Sequence, residues 1–135
     1  EIKFAILGSH DYAKAGTYPI KPPLPYTPGS DAAGVVESVG PGVTKVKAGD
    51  RVYTAQTLTG AYAEYALALE NQVQPLPEQI SFAQGAGVWG PYGTAYHALF
   101  HSAQARAGVT VPIHGASGGV GTPARQRACG MGHKG

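Results

Sequence analysis

The residues best suited to chemistry lie in the run His114-Gly115-Ala116-Ser117-Gly118-Gly119-Val120-Gly121. Four glycines in the seven positions from Gly115 to Gly121 leave little side chain between the backbone and whatever lies above it. A diphosphate requires that: close backbone approach, and free N–H donors where a helix begins. On spacing alone such a run also fits a flexible turn. Its context favours a nucleotide. The apolar stretch Val109 to Ile113 reads as a buried strand before it, and the residues from about Gly119 to Cys129 read as a helix after it.

Other candidates have plainer readings. His97 and His101 are four apart on a predicted helix and could hold a metal. Without a carboxylate between them in a known motif, they read as solvent-facing. His10 reads as a solvated loop histidine, since no partner ligands lie nearby in sequence. Tyr12, taken alone, reads as a packed or surface aromatic. Asp31 reads as a turn cap. Trp89 and Tyr92 either line a substrate pocket or fill a seam between domains, and chemistry does not separate the two. The single cysteine, Cys129, excludes an internal disulfide and a thiolate-rich zinc site.

The 135 residues suffice for one domain, with 43% hydrophobic and 13% charged residues. That is an apolar globular chain rather than a disordered one. The net charge of +2 is scattered, so nucleic acid is not indicated as a partner. No apolar run approaches the ~18 residues of a membrane helix. A reducing, cytoplasmic setting is the expectation for such a cysteine-poor chain. The opening Glu1-Ile2-Lys3 and the stop at Gly135 lead to the expectation that both ends are missing.

Elements that must position these residues follow from pattern. Twenty glycines suit a β-rich region with tight turns. Ile2 to Leu7 reads as a strand end, and Ser9 to Ala15 as one helical turn capped by Ser9. Pro19 to Pro28 reads as a stiff extended loop. Strands are predicted at Ala32 to Val39, Arg51 to Ala55, Gly60 to Ala68 and Gln72 to Leu76, forming a compact barrel or sandwich. Gly40-Pro41-Gly42 and Gly49-Asp50 are turn signals. Ser81 and Gln84 have capping-box spacing and start a short helix to about Val88. Gly90-Pro91 is predicted to break it, before a helix over Thr94 to Ala103. A β-rich domain thus gives way, at about residue 80 to 90, to the start of an α/β unit.

Five blocks carry a resemblance. They are Tyr26 to Val36, Lys47 to Val52, Gly60 to Tyr65, Pro91 to Tyr96, and His114 to Gly121. In this order they resemble the quinone oxidoreductases of the zeta-crystallin type, in the medium-chain dehydrogenase/reductase superfamily. The resemblance covers nearly the whole chain. It implies a mixed β and α/β fold: a GroES-like β domain over residues 1–88, then the first βα unit of a Rossmann-type dinucleotide-binding domain over 89–135. It implies NADPH-dependent hydride transfer to quinones or related electron-poor alkenes and carbonyls. It also implies a homo-oligomer, dimer or tetramer, when full length. The alternative is a crystallin-type structural role in the same family. A partial cofactor domain alone is expected to be inactive.

The resemblance also assigns residues. Tyr12 matches the tyrosine beside the nicotinamide, as a catalytic positioning group. Thr94 matches a threonine near the cofactor at a helix start. Ser117, Gly118, Gly119 and Val120 match the pyrophosphate loop. Ser9 and Ser30 stand where zinc-dependent relatives have ligating cysteine and histidine, and neutral serine is a poor zinc ligand. The zinc-free branch is therefore expected, with no bound metal. The chain departs from the family at Leu7-Gly8, where Asn-Pro is usual, at Pro112 inside the predicted strand, and at Pro123 early in the following helix. The residue that separates NADPH from NADH is expected about 20 positions beyond the glycines, past Gly135.

Overall fold

A computed structural model describes residues 2–5 and 25–130. They form strands β1 (Ile2–Ala5), β2 (Ala32–Val36), β3 (Arg51–Thr54), β4 (Tyr65–Ala66) and β5 (Val73–Pro75), then helices α1 (Phe82–Ala86), α2 (Gly93–Tyr96) and α3 (Gly121–Gly130). The chain divides into two compact units, Glu1–Gly87 and Val88–Gly135.

Among the described residues, five strands of the first unit join one antiparallel sheet in the order β4-β1-β2-β3-β5. Where a barrel or sandwich is expected, the described residues show these five strands in one sheet. Period-two alternation supplies both its faces. Val36, Val52 and Val73 pack together on one side, with Val46 and Ala68 against them. Ala33 and Tyr53 are register partners on the other side and pack with Leu76, Ala86, Ile80 and Phe82. Helix α1 thus covers the second face.

The strand predicted over Gly60 to Ala68 shortens to β4: among the described residues its ladder partners are Lys3 for Tyr65 and Ile2 for Ala66. The strand predicted to Val39 stops at Val36, whose C=O takes the N–H of Gly49 (2.8 Å) as the chain turns.

Local signals act as their chemistry demands. In α1 the Ser81 hydroxyl accepts from the Gln84 N–H (3.2 Å) and the Gln84 side chain accepts from the Ser81 N–H (3.0 Å). At Gly49-Asp50, the Asp50 carboxylate accepts from the Lys47 N–H (2.9 Å). The Arg51 guanidinium donates to the Ile80 carbonyl (2.6 Å) and lies 4.1 Å above the Phe82 ring, tying β3 to the entry of α1. Glu70 ties down the 44–45 turn: one carboxylate oxygen accepts from the Thr44 N–H (2.6 Å), the Lys45 N–H (2.5 Å) and the Thr44 hydroxyl (3.4 Å). The Lys45 and then the Thr44 N–H hold its pKa below the usual carboxylate value.

The second unit departs from expectation twice. Pro91 does not break the chain's helical path. Residues Val88–Tyr92 form a wide π turn that runs on into α2 and a further π segment, His97–Ser102. Pro91 is the fourth residue of that run, where an N–H would have no intrahelical acceptor, so its missing donor costs little. The run ends at Ser102, one residue before the predicted end at Ala103, and Gln104 just beyond it takes φ +49°.

Val109 to Ile113 is the second departure, since it forms no strand. A strand is stabilised by its ladder, the second unit offers no other strand among the described residues, and Pro112 lacks a donor. Its Val111 and Ile113 nonetheless pack against Ala95, Leu99 and Ala124, the core of this unit.

Candidate cofactor site

The site is built where the 115–120 loop enters α3. Gly115 takes φ +67°, a conformation that reverses the chain without a Cβ penalty. Its carbonyl then accepts from the Gly118 N–H (2.9 Å), closing a tight turn. Gly121 is pressed on the same turn: a Cβ there would stand 2.1 Å from the Gly115 oxygen and 2.7 Å from the Ala116 Cα. The Thr122 hydroxyl reaches the Ala116 carbonyl (3.4 Å), and the Thr122 N–H bonds to the Gly118 carbonyl (3.0 Å). Pro123 is buried at the third position of α3, where its ring is tolerated.

Gly119 differs from Gly121. A Cβ at Gly119 would meet no heavy atom within 4 Å. Its N–H and that of Val120 make no hydrogen bond among the described residues. Open space above the backbone and unpaired donors at the start of a ten-residue helix fit a phosphate group. The residues present therefore suit the pyrophosphate of a dinucleotide. Ser117, Gly118 and Val120 are exposed beside them.

Thr94 sits on the second residue of α2, exposed, on the wall of an open groove of about 720 Å³. Trp89, Tyr96, His97 and His101 share that wall, and residues 117–120 do not. His97 and His101 are exposed and their rings stack at 5.1 Å between centroids, 9° from parallel. No group of three metal-ligating side chains gathers among the described residues. Ser30 is half-buried, its carbonyl within 3.5 Å of the Thr54 hydroxyl. Tyr12, Ser9 and His10 lie outside the described residues.

Sequence reasoning missed two features. The steric role of Gly121 was available in principle from the six-residue spacing to Gly115, but needed the turn's shape. The Tyr92 hydroxyl donates to the Gln126 side-chain oxygen on α3, at 2.5 Å, a contact that neither the pocket nor the seam reading includes. Nothing in sequence links positions 34 apart.

Residues 2–78 match the alcohol dehydrogenase GroES-like domain family. The chain is 60% identical over 110 residues to quinone oxidoreductase of Rattus norvegicus, covering 82% of this chain and 33% of that protein. It is 56% identical over 123 residues to quinone oxidoreductase of Homo sapiens, covering 91% and 37%. Among solved structures, Escherichia coli quinone oxidoreductase complexed with NADPH superposes with a TM-score of 0.86 at 38% identity, covering 99% of this chain and 41% of that one. The chain spans about a third of the length of the curated relatives it matches.

Proposed function

The chain belongs to the alcohol dehydrogenase GroES-like family, in the quinone oxidoreductase branch of the medium-chain dehydrogenase/reductase superfamily, and from that premise we propose that it is part of an NADPH-dependent quinone reductase. The reading takes residues 1–88 as the GroES-like β domain and 89–135 as the opening of the cofactor domain. The observation that carries it is the open ground above Gly119, edged by the N–H groups of Gly119 and Val120, which make no hydrogen bond among the described residues, at the start of α3.

NADPH would supply the hydride. The chain's own residues would bind and orient it. Gly119 and Val120 would donate to the pyrophosphate, and Ser117 and Gly118 would border it. Thr94, on the wall of the groove, would offer a hydroxyl to the cofactor, and Tyr12 would hold substrate or nicotinamide in line. No nucleophile or metal is required, in keeping with Ser9 and Ser30 at the positions where ligands would stand. The choice of NADPH draws support from the Escherichia coli relative solved with it. A cytoplasmic homo-oligomer acting on a quinone-like small molecule completes the proposal.

Steady-state oxidation of NADPH by a 1,4-quinone, measured on the full-length protein, tests it. Quinone-dependent turnover is expected without added metal. Tight NADPH binding with no turnover on any quinone would point to the crystallin-type role, and no dinucleotide binding would remove the assignment.

A further inference from the structure

We propose that Tyr92 is a positioning residue for the nucleotide loop, acting through Gln126; the proposal rests on the cofactor reading above. Helix α3 carries the loop at its N-terminus, and α2 carries Thr94. Ala95 of α2 and Ala124 of α3 meet in an apolar cluster with Leu99 of the following π segment. Apolar packing is non-directional, and where α2 itself meets α3 the buried side chains, Ala95 and Ala124, are small; the larger Leu99, Phe100, Val111 and Ile113 flank that point. Such a cluster fixes the spacing of two helices better than their register.

A directional contact supplies the register. The Tyr92 hydroxyl, two residues before Thr94, donates to the Gln126 oxygen at 2.5 Å, and Gln126 lies five residues into α3 from Gly121. At ~1.5 Å of rise per residue the bond sits roughly 8 Å along the axis from the loop. A slip or roll of α3 would carry the Gly119 and Val120 N–H groups with it, because Gly121 is wedged on the Gly115 carbonyl and moves with the turn. One turn of α2 further on, the Arg127 guanidinium lies 5.6 Å from the Tyr96 ring centre, a looser contact on the same edge. Tyr92–Gln126 is thus the hydrogen bond that sets where the loop's donors stand relative to Thr94.

The test uses Tyr92→Phe and Gln126→Leu, singly and together, in the full-length protein. NADPH affinity is read by fluorescence titration, with KM, kcat and thermal melting alongside. Each single variant is expected to weaken NADPH binding by about two- to tenfold, the range of one hydrogen bond. The double variant should be no weaker than either single one. Gln126→Glu, which keeps an acceptor, should restore wild-type affinity. KM for NADPH should rise while kcat at saturating NADPH and the melting temperature hold. Unchanged affinity in both single variants would overturn the proposal, as would additive losses or a fall in melting temperature with affinity intact. If Tyr92→Phe fails to fold, Gln126→Leu decides, since Gln126 is exposed. A wild-type protein that binds no NADPH is a different result, for it removes the cofactor reading itself.

Discussion

Gly119→Val separates a glycine kept for a ligand from one kept for the fold. At Gly119 a Cβ meets nothing within 4 Å, and the residue's φ is outside the left-handed region. Valine should therefore leave folding stability within about 0.5 kcal/mol, as for an unconstrained surface site. Its branched side chain would fill the space over the Gly119 and Val120 N–H groups. A charge-assisted bond is worth about 1.5–3 kcal/mol, so losing both removes roughly 3–6 kcal/mol, or about two to four decades of affinity. The matched control is Gly121→Val, whose Cβ would overlap the Gly115 oxygen at 2.1 Å. It should lower the melting temperature with or without cofactor. The assay is NADPH fluorescence titration beside thermal melting on both variants of the full-length protein. Gly119→Val with wild-type melting and NADPH affinity within about twofold of wild type would refute the reasoning, since a phosphate seated on those donors cannot coexist with the valine.

Other expectations follow from the same residues. Tyr12→Phe should reduce quinone turnover roughly tenfold with a smaller effect on NADPH affinity, and Tyr12→Ala should cost more by removing the ring; kinetics matching wild type for both would make Tyr12 a packing residue. Metal analysis of the purified protein should find no stoichiometric zinc, and activity should survive chelation; about one zinc per chain with chelator-sensitive turnover would overturn this. Glu70 has a lowered pKa because the Lys45 and Thr44 N–H groups favour its charged form. Its contribution to stability is present above the unfolded-state pKa and is lost as pH falls through the lowered folded-state value. Urea denaturation of wild type and Glu70→Ala should therefore differ at neutral pH and converge in strong acid, and a gap that is constant with pH would count against the ionic origin.

What was legible in the sequence is what short-range chemistry encodes. Ser81 and Gln84 bond across three residues, so their identities alone foretell the start of α1. The Gly49-Asp50 turn is likewise closed by its own neighbours. The glycine run ahead of α3 is local too, as is the alternation that puts Val52 and Tyr53 on opposite sheet faces.

Contacts between distant segments decided the rest. Val109 to Ile113 has a strand's composition, but a ladder needs a partner at about 4.8 Å, and composition cannot provide one. Pro91 looked like a breaker because its effect depends on distance from the helix start, which the preceding π turn moved back to Val88. Gly119 and Gly121 are the same letter two positions apart, yet one faces open space and the other a backbone carbonyl. Tyr92 and Gln126 are brought together only by the packing of α2 on α3. Local bonding energies are set by neighbours in sequence; close approach and register are set by coordinates, and only the folded chain supplies those.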